Sequence, residues 1–233
     1  MLVDLLIVVT NARGKLLRAT GDHATTLRVA ASLTIGEYML PELVGQWKMR
    51  HPTSAVRLVI ANTTEVIAAV VAFDVDVGFT EGPQTHPDLI VRPWLNDELV
   101  IVASPTHPLA GRTASSRLLR EAEWALRETG SGAREAADRW LLEHLGQINV
   151  AFELGSPEAI KRLVATGAAL GCLSRQTVAQ TLADGTLVEL RTRLPLAVRR
   201  LAMILHRDKR LGRGTEDFVG HCVALSARRA ASP

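Results

Sequence analysis

Short apolar runs alternate along the chain with segments whose apolar residues recur at helical spacing. "LRVAA", from Leu27, reads as a buried strand. Leu40, Leu43, Val44 and Trp47 then stand at i, i+3, i+4 and i+7, the stripe of an amphipathic helix. Pro41 must lie in that helix's first turn or kink it, and Pro52 ends it behind the basic Arg50 and His51. "AVRLVIA" (55–61) is a second strand. A short helix carrying Val66, Ile67, Val70 and Val71 follows Asn62 and Thr63, and "VDVGF" (75–79) is a third strand. After the loop "TEGPQTHPDL", "LIVRPW" and "ELVIVAS" predict two further strands. Strands joined through helices in this order predict a largely parallel, three-layer α/β unit.

The second half repeats the scheme without repeating the sequence. "WALRE" predicts a strand that runs through "TGSG" into a helix with Ala136, Ala137, Trp140 and Leu141 on one side. "NVAFEL" is the next strand. "GSPEAIKRLVATG" is a helix with Pro157 in its first turn, Ile160, Leu163 and Val164 on one face, and Gly167 at its end. "ALGCLS" and "TLVEL" are strands around the helix "RQTVAQTLADG". "RRLAMILHRD" is a last apolar strand, and 212–227 predicts a closing helix.

Composition narrows the function classes. The 233 residues carry a net charge of only +3, and the basic side is 23 Arg against 4 Lys, spread rather than clustered. That is no nucleic-acid footprint. Two distant cysteines, Cys172 and Cys222, fit a reducing compartment as buried apolar groups, and seven histidines show no ligand spacing with them, so no metal or other cofactor is expected. The apolar start "MLVDLLIVV" carries Asp4 and lacks a basic leader or cleavage site, which argues against export; it also falls short of the roughly 20 apolar residues of a membrane span. A cytoplasmic location is expected.

Candidate chemistry gathers in four strand-to-helix loops: Ser32 to Thr34, Thr80 to Pro83, Thr129 to Gly132, and Gly155 to Pro157. In open parallel sheets ligands bind beyond the carboxyl ends of the strands, where helix N–H groups lack partners and favour anions. Each Ser or Thr taken alone can be a plain helix cap. "GSG" lacks the Gly-Lys-Ser/Thr of a P-loop, and "GSPE" is not a serine-hydrolase elbow. Arg127, Arg134 and Lys161 stand near these loops. The last two fit solvated helix positions, and Glu81 could receive a ligand amine or cap its own turn.

"LRVAASLTIGEYMLPEL", "RHP", "TTEVIAAV", "VDVGFTEGP", "HPDL", "DELVIVASPTHPLA", "LRETGSGARE", "ELGSPEAIKRLVATGAALGCLSR" and "GTLVEL", in this order over about 200 residues, resemble the effector-binding domain of LysR-type transcriptional regulators. The resemblance is nearest to the branch sensing small inorganic anions or central-carbon metabolites, such as sulfur-assimilation and carbon-fixation regulators. It implies two Rossmann-like α/β subdomains joined by two crossover strands, a periplasmic binding protein type II-like arrangement. The crossovers would be 99–104 and 201–206. Subdomain I would comprise 27–103 and 205–228, subdomain II 104–204, with 1–26 as an N-terminal segment or linker remnant.

The resemblance also implies a small effector, a carboxylate or inorganic anion, held in the cleft between the subdomains. It would touch Ser32, Thr34, Glu81, Gly82, Thr129, Gly130, Ser131, Gly132 and Ser156, with Ser32 and Thr34 capping their helix as well. A homodimer or homotetramer is implied. DNA would be reached only through a helix-turn-helix, for which 1–26 is too short, so a regulator fragment and a stand-alone sensor are both open. No membrane partner is expected. A transport-type solute-binding protein on the same fold would call for a signal peptide or lipid-anchored cysteine. An enzyme would need a converging acid/base pair or nucleophile, and His86 and His107 each stand beside a proline in a loop. Neither catalysis nor catalytic residues are expected.

Overall fold

A computed structural model describes residues 26–82 and 85–230, with side chains as far as residue 225. The expected linker remnant, except for Thr26, and Pro83 lie outside the described residues. Within them the order is β1 (Thr26–Ser32), α1 (Leu33–Tyr38), α2 (Leu40–Arg50), β2 (Ala55–Ala61), α3 (Thr63–Val71), β3 (Val77–Glu81) and β4 (Leu89–Ala103). Then come α4 (Ser116–Glu121), β5 (Glu123–Arg127), α5 (Gly132–Leu145), β6 (Asn149–Leu154), α6 (Pro157–Ala165), β7 (Leu170–Ser174), α7 (Arg175–Ala183), β8 (Val188–Glu189), β9 (Ala197–His206) and α8 (Arg213–Ala230).

The strands lie in the order β2-β1-β3-β9-β4-β7-β5-β6, with β8 beside β4. β1 runs parallel to β2 and β3 on either side, and β5 parallel to β6 and β7. The two parallel sets are joined by β4 and β9, antiparallel to each other, with β9 also antiparallel to β3 and β4 to β7. Each parallel set needs helical crossovers, which fold onto both faces. In the first half Leu27, Val29 and Ala31 of β1 pack with Ile35, Leu40, Leu43 and Trp47 on one face, where Phe218 and Cys222 of α8 also dock. Ala30 meets Val66 and Val70 of α3 on the other. The second half has the same two-faced build, α4 and α5 on one side and α6 and α7 on the other.

Two elements depart from the sequence expectation. The two strands expected at "LIVRPW" and "ELVIVAS" form one strand, β4, with a register shift between Pro93 and Asn96. Proline offers no ladder N–H, and the irregularity lets the strand continue past it. Helix α4 carries a single buried anchor, Leu119, too little for a helical period to be legible in six residues.

Polar residues occupy the point where the chain changes halves. On β4, Trp94 and Leu95 belong to the first core, whereas Leu99, Ile101 and Ala103 belong to the second. On β9, Ala197 lies in the second core and Leu201, Met203 and Leu205 in the first. Core membership thus changes at 96–98 and 198–200, immediately before the apolar stretches 99–104 and 201–206 of the same two strands. Those apolar runs are already committed to one core each, which is what their hydrophobicity brings about.

Candidate functional site

The carboxyl ends of β1, β3, β5 and β6 open onto the loops singled out in the sequence, and a buried carboxylate organises the first of them. Glu81, 1% exposed at the end of β3, accepts from the Ser32 hydroxyl (3.0 Å) and the Thr34 backbone N–H (3.2 Å) through Oε1. Its Oε2 accepts from Arg199 Nη1 at 2.7 Å. The Ser32 hydroxyl makes no cap bond to α1, contrary to expectation. Glu81 caps α1 in its place, because a carboxylate bridging the hydroxyl and the helix N–H is a stronger acceptor than the hydroxyl. Burial pushes the Glu81 carboxyl up, but the Arg199 guanidinium, hydrogen bonds from Thr34 and Ser32 and the charge of Arg127 outweigh it and hold it below the ordinary carboxylate range. Both oxygens of Glu81 are thus engaged within the protein.

Arg199 carries the network through the crossing. Its Nε donates to Asp97 Oδ2 at 2.7 Å, and Asp97 Oδ1 accepts from the Ser174 hydroxyl at 2.7 Å. Ser174 Oγ in turn accepts from the N–H of Gln176 and caps α7. A single chain of charged hydrogen bonds thus runs from the start of α1, through both crossing strands, to the start of α7. Sequence reading missed Arg199 and Asp97. Their signal was a charged residue on the inward-facing alternation of a strand, Arg199 between Ala197 and Leu201, which admits a buried ion pair.

The halves touch directly at the glycine turn. Gly132 N–H donates to Thr63 Oγ1 (3.2 Å), and both the backbone N–H and the hydroxyl of Thr64 reach the Gly130 carbonyl at 3.3 Å. Gly130 takes φ +87°, which favours glycine. Ser131 is buried and caps α5 by accepting from Arg134 N–H. Gly82 lies behind the turn and donates its N–H to the Arg200 carbonyl at 3.0 Å. The Thr129 side chain is exposed.

A second bridge crosses between α1 and α6. Lys161, expected as a solvated position, is 8% exposed and donates to the Thr177 carbonyl (3.1 Å) and the Tyr38 hydroxyl (3.3 Å). It also pairs with Glu158 at 2.6 Å, and Glu158 accepts from the Tyr38 hydroxyl. Glu37 next to Tyr38 is raised by burial and by Glu158, and lowered less by the charges of Arg127 and Lys161. Arg127 is buried at the end of β5 and held by Glu128 at 2.7 Å. Arg134, the other position expected to be solvated, is mostly covered and paired with Asp138 and Glu153. Ser156 at the start of α6 is half-buried and makes no cap bond.

The structure thus brings Ser32, Thr34, Glu81, Gly130, Ser131 and Gly132 into one contact set. Ser156 stands at the head of the helix whose Glu158 and Lys161 reach α1. Thr129 and Gly82 lie at the margins. Both cysteines are free and buried, and burial pushes each thiol up to about 12, so neither is a nucleophile. Among the described residues no group of three His, Cys, Asp or Glu could hold a metal, and no helix is long and apolar enough to cross a membrane.

The result is a twin α/β architecture whose strand-to-helix loops meet between the two halves. Residues 20–227 match the model of the LysR substrate binding domain, and the chain belongs to that family. The HTH-type transcriptional regulator YeiE of Escherichia coli (strain K12), itself named as uncharacterized, is 42% identical over 196 residues, covering 84% of this chain and 67% of that protein. The HTH-type transcriptional regulator CysL of Bacillus subtilis (strain 168) is 38% identical over 158 residues, 67% of this chain and 52% of that protein. The regulatory domain of CcmR from Synechocystis PCC6803, solved in complex with 2-PG, matches with a TM-score of 0.79 at 29% identity over 87% of this chain and 97% of that one. The chain spans about half to two thirds of these curated relatives. It is an effector-binding domain of the LysR type with the periplasmic binding protein type II-like fold, and the two relatives named above are transcriptional regulators.

Proposed function

We propose that the cleft between the halves binds a small anionic metabolite, a carboxylate or an inorganic anion, and that binding re-sets the angle between two subdomains. The supporting observation is the pair of buried cations of the second half, Lys161, which reaches Tyr38 of α1, and Arg127 at the end of β5. Beside them stand Ser156, with no cap bond of its own, and the exposed Thr129. Each cation is held by an acid of its own half, Glu128 and Glu158. An anionic effector competes with Glu158 for Lys161 and the Tyr38 hydroxyl. Ser32, Thr34 and Glu81 shape the cleft by fixing α1, and Gly130 to Gly132 let α5 approach it. The subdomains hinge at the polar crossings 96–98 and 198–200, a few residues before the boundaries at 103/104 and 204/205.

The domain acts within a cytoplasmic transcriptional regulator that associates as a homodimer or homotetramer and reaches DNA through a helix-turn-helix. To change an equilibrium between open and closed forms, the effector must favour one of them. Scanning fluorimetry with phosphate, sulfate, small mono- and dicarboxylates and 2-PG tests the reading. A true effector at about 100 times its Kd adds about 2.7 kcal/mol, a rise of roughly 5–10 °C for a domain of this size. Lys161→Met and Ser156→Ala are expected to lessen that rise. If no anion raises the melting temperature, or if the rise is the same in both variants, the cleft is not the effector site.

A further inference from the structure

Away from the cleft, two cavities of about 320 and 260 Å³ share Leu99, Trp140, Leu196 and Ala197 in their walls, so they form one groove between α5 and the paired strands β4 and β9. Its middle is apolar. Leu196 and Val198 are 76% and 61% exposed beside it, an unusual display for large aliphatic side chains next to a packed core. The Trp140 indole N–H is shielded from water yet has no acceptor among the described residues, although buried indoles ordinarily find one.

The two ends differ in charge. One carries Arg139 and Arg200, from α5 and β9, neither of which has a carboxylate partner among the described residues; Glu143 is the one acid on that wall. The other end carries Glu98 and Glu189, both tied to Arg175, together with Arg191. A carboxylate is therefore drawn to the Arg139 and Arg200 end, since the acids of the other end are already neutralised by Arg175, and this difference sets the direction of a bound molecule.

We propose that this groove is a second small-molecule site, distinct from the cleft, for an elongated apolar carboxylate. The carboxylate sits between Arg139 and Arg200, and the apolar body lies along Trp140 and Leu196. An occupant there rests on the crossing itself: the Arg200 carbonyl accepts from Gly82, and Arg199 beside it holds Glu81. Binding at the groove thus acts on the strand that joins the halves.

The test titrates the ¹⁵N-labelled full chain with 3-phenylpropionate and follows the Trp140 indole resonance, assigned through Trp140→Phe. The expected result is a saturating shift of that resonance. 3-Phenylpropanol and acetate, each lacking one half of the chemistry, bind at least tenfold more weakly. Arg139 and Arg200 are exposed, so Arg139→Met and Arg200→Met keep the fold, and each weakens binding about fivefold, some 1 kcal/mol. Ser156→Ala and Lys161→Met, which address the cleft, leave it unchanged. The proposal is overturned if the indole resonance stays still, if the alcohol binds as well as the acid, if the arginine variants bind like wild type, or if the cleft variants abolish the shift.

Discussion

Arg199→Met is expected to destabilise the chain by about 3–5 kcal/mol, because it leaves Glu81 and Asp97 buried without the charge that pairs them. For a domain of this size that is a fall in Tm of roughly 6–20 °C. Two further variants separate charge from packing. Arg199→Lys keeps the cation but loses the fork that reaches both carboxylates, and lands between wild type and methionine. Glu81→Gln combined with Arg199→Met removes one of the stranded charges and recovers part of the loss, so the two changes add to less than their sum. Equal stability of wild type and Arg199→Met would refute the network's role.

The pH dependence has a definite sign. In the wild type the Glu81 carboxyl is held below its ordinary value of 4.5, so its contribution is fully present above that value and is lost as the pH falls through the lower, folded one. In Arg199→Met the guanidinium is gone, burial dominates, and the carboxyl moves up instead. The stranded charge can then be relieved by a proton at a pH the wild type does not notice. The gap in Tm between the two proteins therefore narrows on going from about pH 8 to about pH 5, and a gap that widens in that interval would contradict the assignment.

Most of the architecture was legible because each element of it obeys a local period. The stripe from Leu40 to Trp47 and the strand runs at 27–31 and 55–61 all formed, and the family resemblance fixed how the halves are joined. The loops were legible too, since Ser32, Ser131 and Ser156 all stand at helix starts. What each hydroxyl does was not, since that depends on partners far along the chain. Ser32 looks like Ser131 in sequence, yet Ser131 caps its own helix while Ser32 gives its hydrogen to a carboxylate 49 residues away. Lys161 looked like a solvated helix position, and only the packing of α6 against Tyr38 and Thr177 buries it. The charged residues where the strands change cores were hidden for a related reason. Apolar runs announce a core, but the residues that pass between two cores are charged, and they pair with charges from other strands.

Gly132→Ala is the second large effect, and it tests the seam between the halves rather than the crossing. A Cβ at this position would stand 2.1 Å from the Glu81 carbonyl oxygen and 2.9 Å from Thr63 Oγ1. The first of these is backbone at the end of β3, fixed by its ladder to β9 and by the Glu81 network, so it cannot turn aside as a flexible side chain would. Relief comes only if α5 retreats, and that breaks the Gly132 to Thr63 hydrogen bond and moves Gly130 away from Thr64. Overpacking of this kind costs about 1–3 kcal/mol, and here the loss of contacts across the seam adds to it. Gly45→Ala is the control. It lies inside α2 with nothing within 4 Å of an added Cβ, and replacing a mid-helix glycine stabilises by about 0.5–1 kcal/mol. One methyl group thus lowers Tm at 132 and raises it at 45. Because Gly132 abuts Glu81, whose carboxylate holds the start of α1, the thermal shift given by a cleft effector is also expected to shrink in Gly132→Ala and to persist in Gly45→Ala; equal shifts in both would mean that the seam plays no part in holding the effector.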